Sequence, residues 1–287
     1  MSTAHPKGHT LAGAPSRAQA GKQASGVQRL GGAFAASRKR AALMPYVMAG
    51  FPTLEESARI GLACAQAGAD VVELGVPYSD PLADGPVIHA AGTQALAAGA
   101  NLAGVLEVAR TISASVPVVL MCYANMVFAP GVQAFVERAQ RAGACGLIVP
   151  DLPYGEAPEV LPTCDELGVA LVPLVAPTTT PERLAAIGAH ARGFLYTVSL
   201  VGTTGERRTL GERFADVVAR AKASTEVPVA LGFGISTPAQ AAEAADAGAD
   251  GVIVGTRLVR AAGESDDPAG AVGSLVAELA AGLGASR

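Results

Sequence analysis

The stretch ELGVPYSDPLADGP, residues 73–86, sets two carboxylates in different backbone settings, Glu73 inside an apolar run and Asp84 in the loop beyond it. Glu73 alternates with the apolar Val72 and Leu74, and prolines stiffen the chain between it and Asp84. One acid on a rigid strand and one on a loop suit a division between a general acid/base and a group that holds or polarises the substrate. An ion-paired structural glutamate is the plainer alternative, yet no Lys or Arg occurs between Arg59 and Arg110. Loop aspartates also often cap helices, so the pattern by itself leaves that role open for Asp84. A divalent metal would be a third use of Glu73, Asp80 and Asp84. No His stands at a strand end and His89 falls on the following helical segment, so no metal is assigned.

Three glycine-bearing stretches come late in the chain: SLVGTTGER, LGFGIST and VGTRL. Glycine lets backbone N–H groups approach an anion closely, and in α/β barrels the loops after the last two strands frequently hold a phosphate. Gly205, Gly234, Ile235, Ser236, Gly255 and Thr256 are the candidate donors. Gly202 and Gly205 flank two threonines, which suggests a lid whose Thr204 bonds to another loop, with Asp84 as the candidate partner. Tyr46, Met121, Tyr123, Tyr196 and Phe233 stand at strand ends and are expected to wall the same cavity. The implied ligand is a phosphate ester with a flat hydrophobic end.

Positioning these residues takes a repeated scaffold. Eight apolar runs recur, at residues 43–49, 70–75, 117–123, 146–151, 169–176, 193–199, 227–233 and 251–255. Helical segments follow them, among them residues 54–67, 132–142, 181–189 and 238–247, several opened by Thr or Pro. Three helix-to-strand joins are nearly one phrase: QAGADVVELG, RAGACGLIVPD and DAGADGVIVG. Eight βα units predict a single (β/α)8 barrel with an extra N-terminal helix; a doubly wound sheet would need an edge strand or a topological switch that the pattern does not offer. Chemistry in such barrels sits at the C-terminal strand ends, so Glu73 is expected at the mouth, wet enough to keep its charge.

The chain of 287 residues is half hydrophobic and 16% charged, with a formal net charge of −4. Ser37–Arg40 is an isolated basic run, which argues against a nucleic-acid partner. Cys64, Cys122, Cys145 and Cys164 are widely spaced and read as reduced and structural. No apolar stretch approaches the roughly 18 residues of a membrane span, and a soluble, cytoplasmic protein is expected. Residues 1–26 read as a disordered tail whose His5 and His9 have no metal-binding company, and residues 27–287 as the barrel domain.

The motifs PYVMAGFPT, ELGVPYSDPLADGP, YANMVF, VPDLP, GTTGER and GFGIS resemble the tryptophan synthase alpha chain family, from about residue 27 to the C-terminus. The resemblance implies a barrel that cleaves indole-3-glycerol phosphate to indole and D-glyceraldehyde 3-phosphate without a cofactor of its own. It further implies that indole passes to a pyridoxal-phosphate-bearing beta chain in an α2β2 complex. By the same resemblance Glu73 is the general acid/base and Asp84 the acid on the indole N–H. Gly205, Gly234, Gly255 and Thr256 then bind phosphate, Tyr196 belongs to the site, Phe233 and Tyr123 line the indole end, and Pro77 and Asp80 lie near the beta-chain interface. Thr203 and Thr256 stand where many relatives carry Val and Ser. A stand-alone lyase releasing free indole, or a phosphate-binding barrel without catalysis, are the alternatives that share these motifs.

Overall fold

In the computed structural model, residues 24–198, 210–232 and 234–284 are described. The strands are β1 Ala42–Met48, β2 Val72–Gly75, β3 Val118–Met121, β4 Ala144–Ile148, β5 Ala170–Val172, β6 Leu174–Val175, β7 Leu195–Val198, β8 Val229–Gly232 and β9 Gly251–Val254. The helices are α1 Gly26–Ala36, α2 Leu54–Gln66, α3 Pro86–Ala97, α4 Leu102–Ser113, α5 Ala124–Phe128, α6 Val132–Arg141, α7 Val160–Leu167, α8 Pro181–Ala189, α9 Leu210–Lys222, α10 Pro238–Asp246, α11 Thr256–Glu264 and α12 Pro268–Leu283.

All strand pairs are parallel, in the order β5-β4-β3-β2-β1-β9-β8-β7-β6. The fifth expected run is split because Pro173 has no N–H to give the ladder. β5 pairs with β4 on one side of Pro173 and β6 pairs with β7 on the other, so one short stretch of chain closes the ring. The Pro173 carbonyl still accepts from the Tyr196 N–H at 3.0 Å. The expected barrel is therefore present, with eight runs forming nine strands.

Local chemistry explains the element ends. Thr53, Thr180 and Thr237 cap α2, α8 and α10 through their hydroxyls, and Ser25 makes a capping box with Gln28 at the start of α1. In the three repeated joins Gly68, Gly143 and Gly248 have φ of 101°, 81° and 94°, a region that favours glycine and stops the helix just before the next strand. The aspartate that follows Gly-Ala in two of those phrases secures the neighbouring strand. Asp70 accepts from the Leu43 N–H at 2.6 Å and Asp250 from the Val229 N–H at 2.9 Å. Lys39 and Lys222 pair with these same carboxylates.

Two packed regions result. Leu30 of α1 is fully buried among Met44, Val71, Val119, Ala170, Phe194 and Ile253 in the barrel interior, so α1 plugs the lower end of the barrel. Arg29 of α1 donates to the carbonyl of Ser113 at 2.8 Å and to that of Gly143. The larger core lies between the strands and the surrounding helices. All four cysteines are free and buried, and burial pushes the Cys64 and Cys164 thiols up to about 12, which leaves them protonated and inert. No single helix among the described residues is long and apolar enough to cross a membrane.

Candidate active site

Glu73 sits in β2, in register with Tyr46 of β1 and Val119 of β3. Its side chain enters a cavity of about 480 Å³ at the C-terminal strand ends. The expectation that the mouth keeps this carboxylate wet is corrected here. Glu73 is only 1% exposed, and its Oε2 has no hydrogen-bond partner among the described residues. Burial, and secondarily the charge of Asp84, lift its pKa from 4.5 to about 8. A carboxyl so placed holds its proton at neutral pH and has one to donate.

Two buried tyrosines lie close to Glu73. Burial raises both phenols well above 10, with Asp84 and then Glu73 adding to the effect on Tyr46, and Glu73 and then Tyr46 on Tyr196. The strands make room for these rings with glycine: a Cβ on Gly75 would collide with the Tyr46 hydroxyl, and one on Gly232 with that of Tyr196.

Asp84 lines the same cavity from the loop between β2 and α3. Its Oδ1 accepts from the Tyr123 hydroxyl at 2.9 Å, and the Tyr123 oxygen in turn accepts from the Ala83 N–H at 3.2 Å. Tyr78 stacks on the Tyr123 ring, with centroids 5.1 Å apart. Tyr123 was expected on the cavity wall; instead it stands behind Asp84 and fastens the loop that carries it. Burial raises the Asp84 pKa, and the Tyr123 hydrogen bond and the nearby His89 partly offset that rise.

The glycine corner forms part of the same cavity, through Gly234, Ile235, Ser236, Gly255 and Thr256. Gly234 has φ 80° at the turn after β8. Ser236 is corrected as a donor to an anion, because its N–H and its hydroxyl both donate to Gln240 Oε1, at 2.8 and 3.0 Å. Thr204, Gly205 and Phe233 lie outside the described residues. Pro77 is buried within this chain, whereas Asp80 is exposed and accepts from the Ser79 hydroxyl. Among the described residues no group of three or more His, Cys, Asp or Glu is arranged to hold a metal ion.

The sequence reading did not single out several wall residues: Ile88, Ile148, Leu174, Ile253, Arg257 and Arg260. Ile148, Leu174 and Ile253 are strand residues that the two-residue alternation could have pointed inward. Arg257 and Arg260 follow directly on the glycine corner, and their spacing on a short helix was the available signal.

The family model described as tryptophan synthase alpha chain matches residues 33–281. The chain is 49% identical over 223 residues to the tryptophan synthase alpha chain of Prochlorococcus marinus, covering 77% of this chain and 81% of that one. It is 46% identical over 246 residues to the alpha chain of Methanosarcina mazei, covering 86% and 90%. Among solved structures, a chain of tryptophan synthase from M. tuberculosis superimposes with a TM-score of 0.81 at 38% identity, covering 91% of this chain and 99% of that one. Tryptophan synthase subunit alpha from Legionella pneumophila gives 0.82 at 36% identity, with the same coverage. On fold, motifs and these matches together, the chain belongs to the tryptophan synthase alpha chain family, the lyases of the indole-3-glycerol phosphate cleavage half-reaction.

Proposed function

We propose that Glu73 and Asp84 carry out this cleavage in the present chain as general acid/base and ring-nitrogen acceptor. The observation that carries the reading is the buried Glu73 carboxyl, its Oε2 without a partner among the described residues, held at a pKa of about 8 in the cavity that Asp84 also lines. Glu73 gives its proton to indole C3 while Asp84 accepts a hydrogen bond from the ring N–H and stabilises the positive charge that develops there. The Glu73 carboxylate then takes the proton of the hydroxyl on the carbon attached to C3. The carbon–carbon bond breaks, its electrons return to the ring as indole, and the aldehyde of glyceraldehyde 3-phosphate leaves. Glu73 ends protonated, as it began. Tyr46 and Tyr196 keep water from the acid, and Gly234, Ile235, Gly255 and Thr256 receive the phosphate.

The partner is a tryptophan synthase beta chain, which carries the pyridoxal phosphate, in an α2β2 assembly in the cytoplasm; this chain is assigned no cofactor. Leu82, Phe128 and Tyr154 support that reading. They are large hydrophobics 87%, 40% and 37% exposed, on the connections after β2, β3 and β4 at the mouth side. Asp80 stands on the first of these connections. The deciding assay is indole-3-glycerol phosphate cleavage with and without a beta chain. Stimulation by the beta chain is expected, and full indole release without one would make the chain a stand-alone lyase. Loss of turnover by about 100-fold or more in Glu73→Gln is expected of a general acid/base, and intact turnover would remove the assignment.

A further inference from the structure

We propose that Arg257 and Arg260 form a charged clamp on the phosphate end of the substrate, an inference that rests on the phosphate-ester reading above and extends it. Both line the cavity and both are exposed to it. They are its only Lys or Arg side chains among the described residues. Neither makes an ion pair or a side-chain hydrogen bond among the described residues, a state they share with Arg38 and Arg138, but those two do not line the cavity.

Their position is unfavourable for the free protein. α11 reads TRLVRAAGE, so the two arginines stand three apart, as neighbours on one face, and like charges there repel. The N-terminal end of a helix carries the positive pole of its dipole, which disfavours a cation in the first turn, and no acidic residue in that turn compensates. Glu264 at the far end repeats the inversion. Some helices carry the favourable arrangement, with Glu55 and Glu56 opening α2 and basic residues closing α4, α6 and α9, whereas α7 and α10 carry acids in the last turn. A bound phosphate dianion relieves both costs at once, and guanidinium groups can meet it with paired hydrogen bonds. The clamp also sets direction. With the protonated Glu73 and with Asp84 on the β2 side and guanidiniums on α11, a phosphate ester is drawn to α11.

The test compares Arg257→Gln, Arg260→Gln and the double variant with the unaltered full chain, on indole-3-glycerol phosphate and on its uncharged analogue indole-3-glycerol, with inorganic phosphate as a competitor. The double variant should raise KM for the phosphorylated substrate by about tenfold with kcat nearly unchanged, and weaken phosphate inhibition in parallel. Lysine at both positions should restore part of the loss, indole-3-glycerol turnover should not move, and Arg110→Gln at the other end of the barrel should change nothing. Unchanged KM and phosphate inhibition in the double variant would overturn the clamp and leave the lyase reading standing. An equal loss on indole-3-glycerol would overturn it by showing a structural role. Failure of the unaltered chain to cleave the substrate or to respond to phosphate would remove both readings.

Discussion

The Tyr123 hydroxyl donates to Asp84 Oδ1 at 2.9 Å and so ties the end of β3 to the loop that follows β2. The same oxygen accepts from the Ala83 N–H, which makes one phenol the anchor for two successive loop residues. Asp84 is thereby placed by a neighbouring βα unit as well as by its own.

Tyr123→Phe is expected to lower kcat/KM about fivefold, the worth of roughly one hydrogen bond of about 1 kcal/mol. Because the lost bond holds the Asp84 pKa down, the acid limb of the kcat/KM profile should also move to higher pH. Steady-state kinetics from pH 5 to 9 checks both; an unmoved acid limb would mean that Tyr123 only packs.

Activity should fall as pH rises through about 8, where the Glu73 proton is lost. Stability gives an independent check with a defined sign. The folded pKa lies above the unfolded value of 4.5, so the penalty for ionising Glu73 is absent below about 4.5, grows with pH, and is complete above about 8. Glu73→Gln should therefore match the parent near pH 4.5 and exceed it by a few kcal/mol, at most about 5, near pH 9. Urea unfolding at the two pH values measures the difference.

Gly75→Ala drives a methyl into the Tyr46 hydroxyl and should cost about 1–3 kcal/mol. Tyr46→Phe removes the nearest of the colliding atoms while the ring Cζ and Cε2 stay within 3.0 Å, so the double variant should recover part of the summed single costs. A double-mutant cycle by urea unfolding reads the coupling, and strict additivity would show that the two positions do not meet.

Asp70→Ala leaves the Leu43 N–H and the Lys39 ammonium without their acceptor and should cost about 1–3 kcal/mol. Lys39→Gln should cost less than Asp70→Ala, since it leaves the Leu43 bond in place. Thermal unfolding of the two variants orders them.

The repeating scaffold was legible because its signals are local: apolar runs, threonine caps, and the phrase that ends helices at Gly68, Gly143 and Gly248. Glu73 was legible as an anomaly, a charge in an apolar run. Its dryness was not, since burial depends on Tyr46 and Tyr196 closing over it from other strands. The Tyr123–Asp84 bond joins residues 39 apart and has no local trace. Ser236 had the composition of an anion donor, and only the structure shows it committed to Gln240. The break at Pro173 could have been anticipated from its missing N–H. Arg257 and Arg260 were visible as charges, but their lack of partners among the described residues is a property of the fold.

That break gives the ring a seam. Two arcs, β1–β5 and β6–β9, share the long strand β1 on one side, while on the other the sheet passes through a single short run, with Asp165–Arg192 and Tyr154–His190 bonds across the seam. Glu73 and Asp84 belong to the first arc, while Gly234, Gly255 and Arg257 belong to the second. On the proposed function, a substrate reaching from Glu73 to the glycine corner spans both arcs, so its binding should stabilise the seam as well as fill the site.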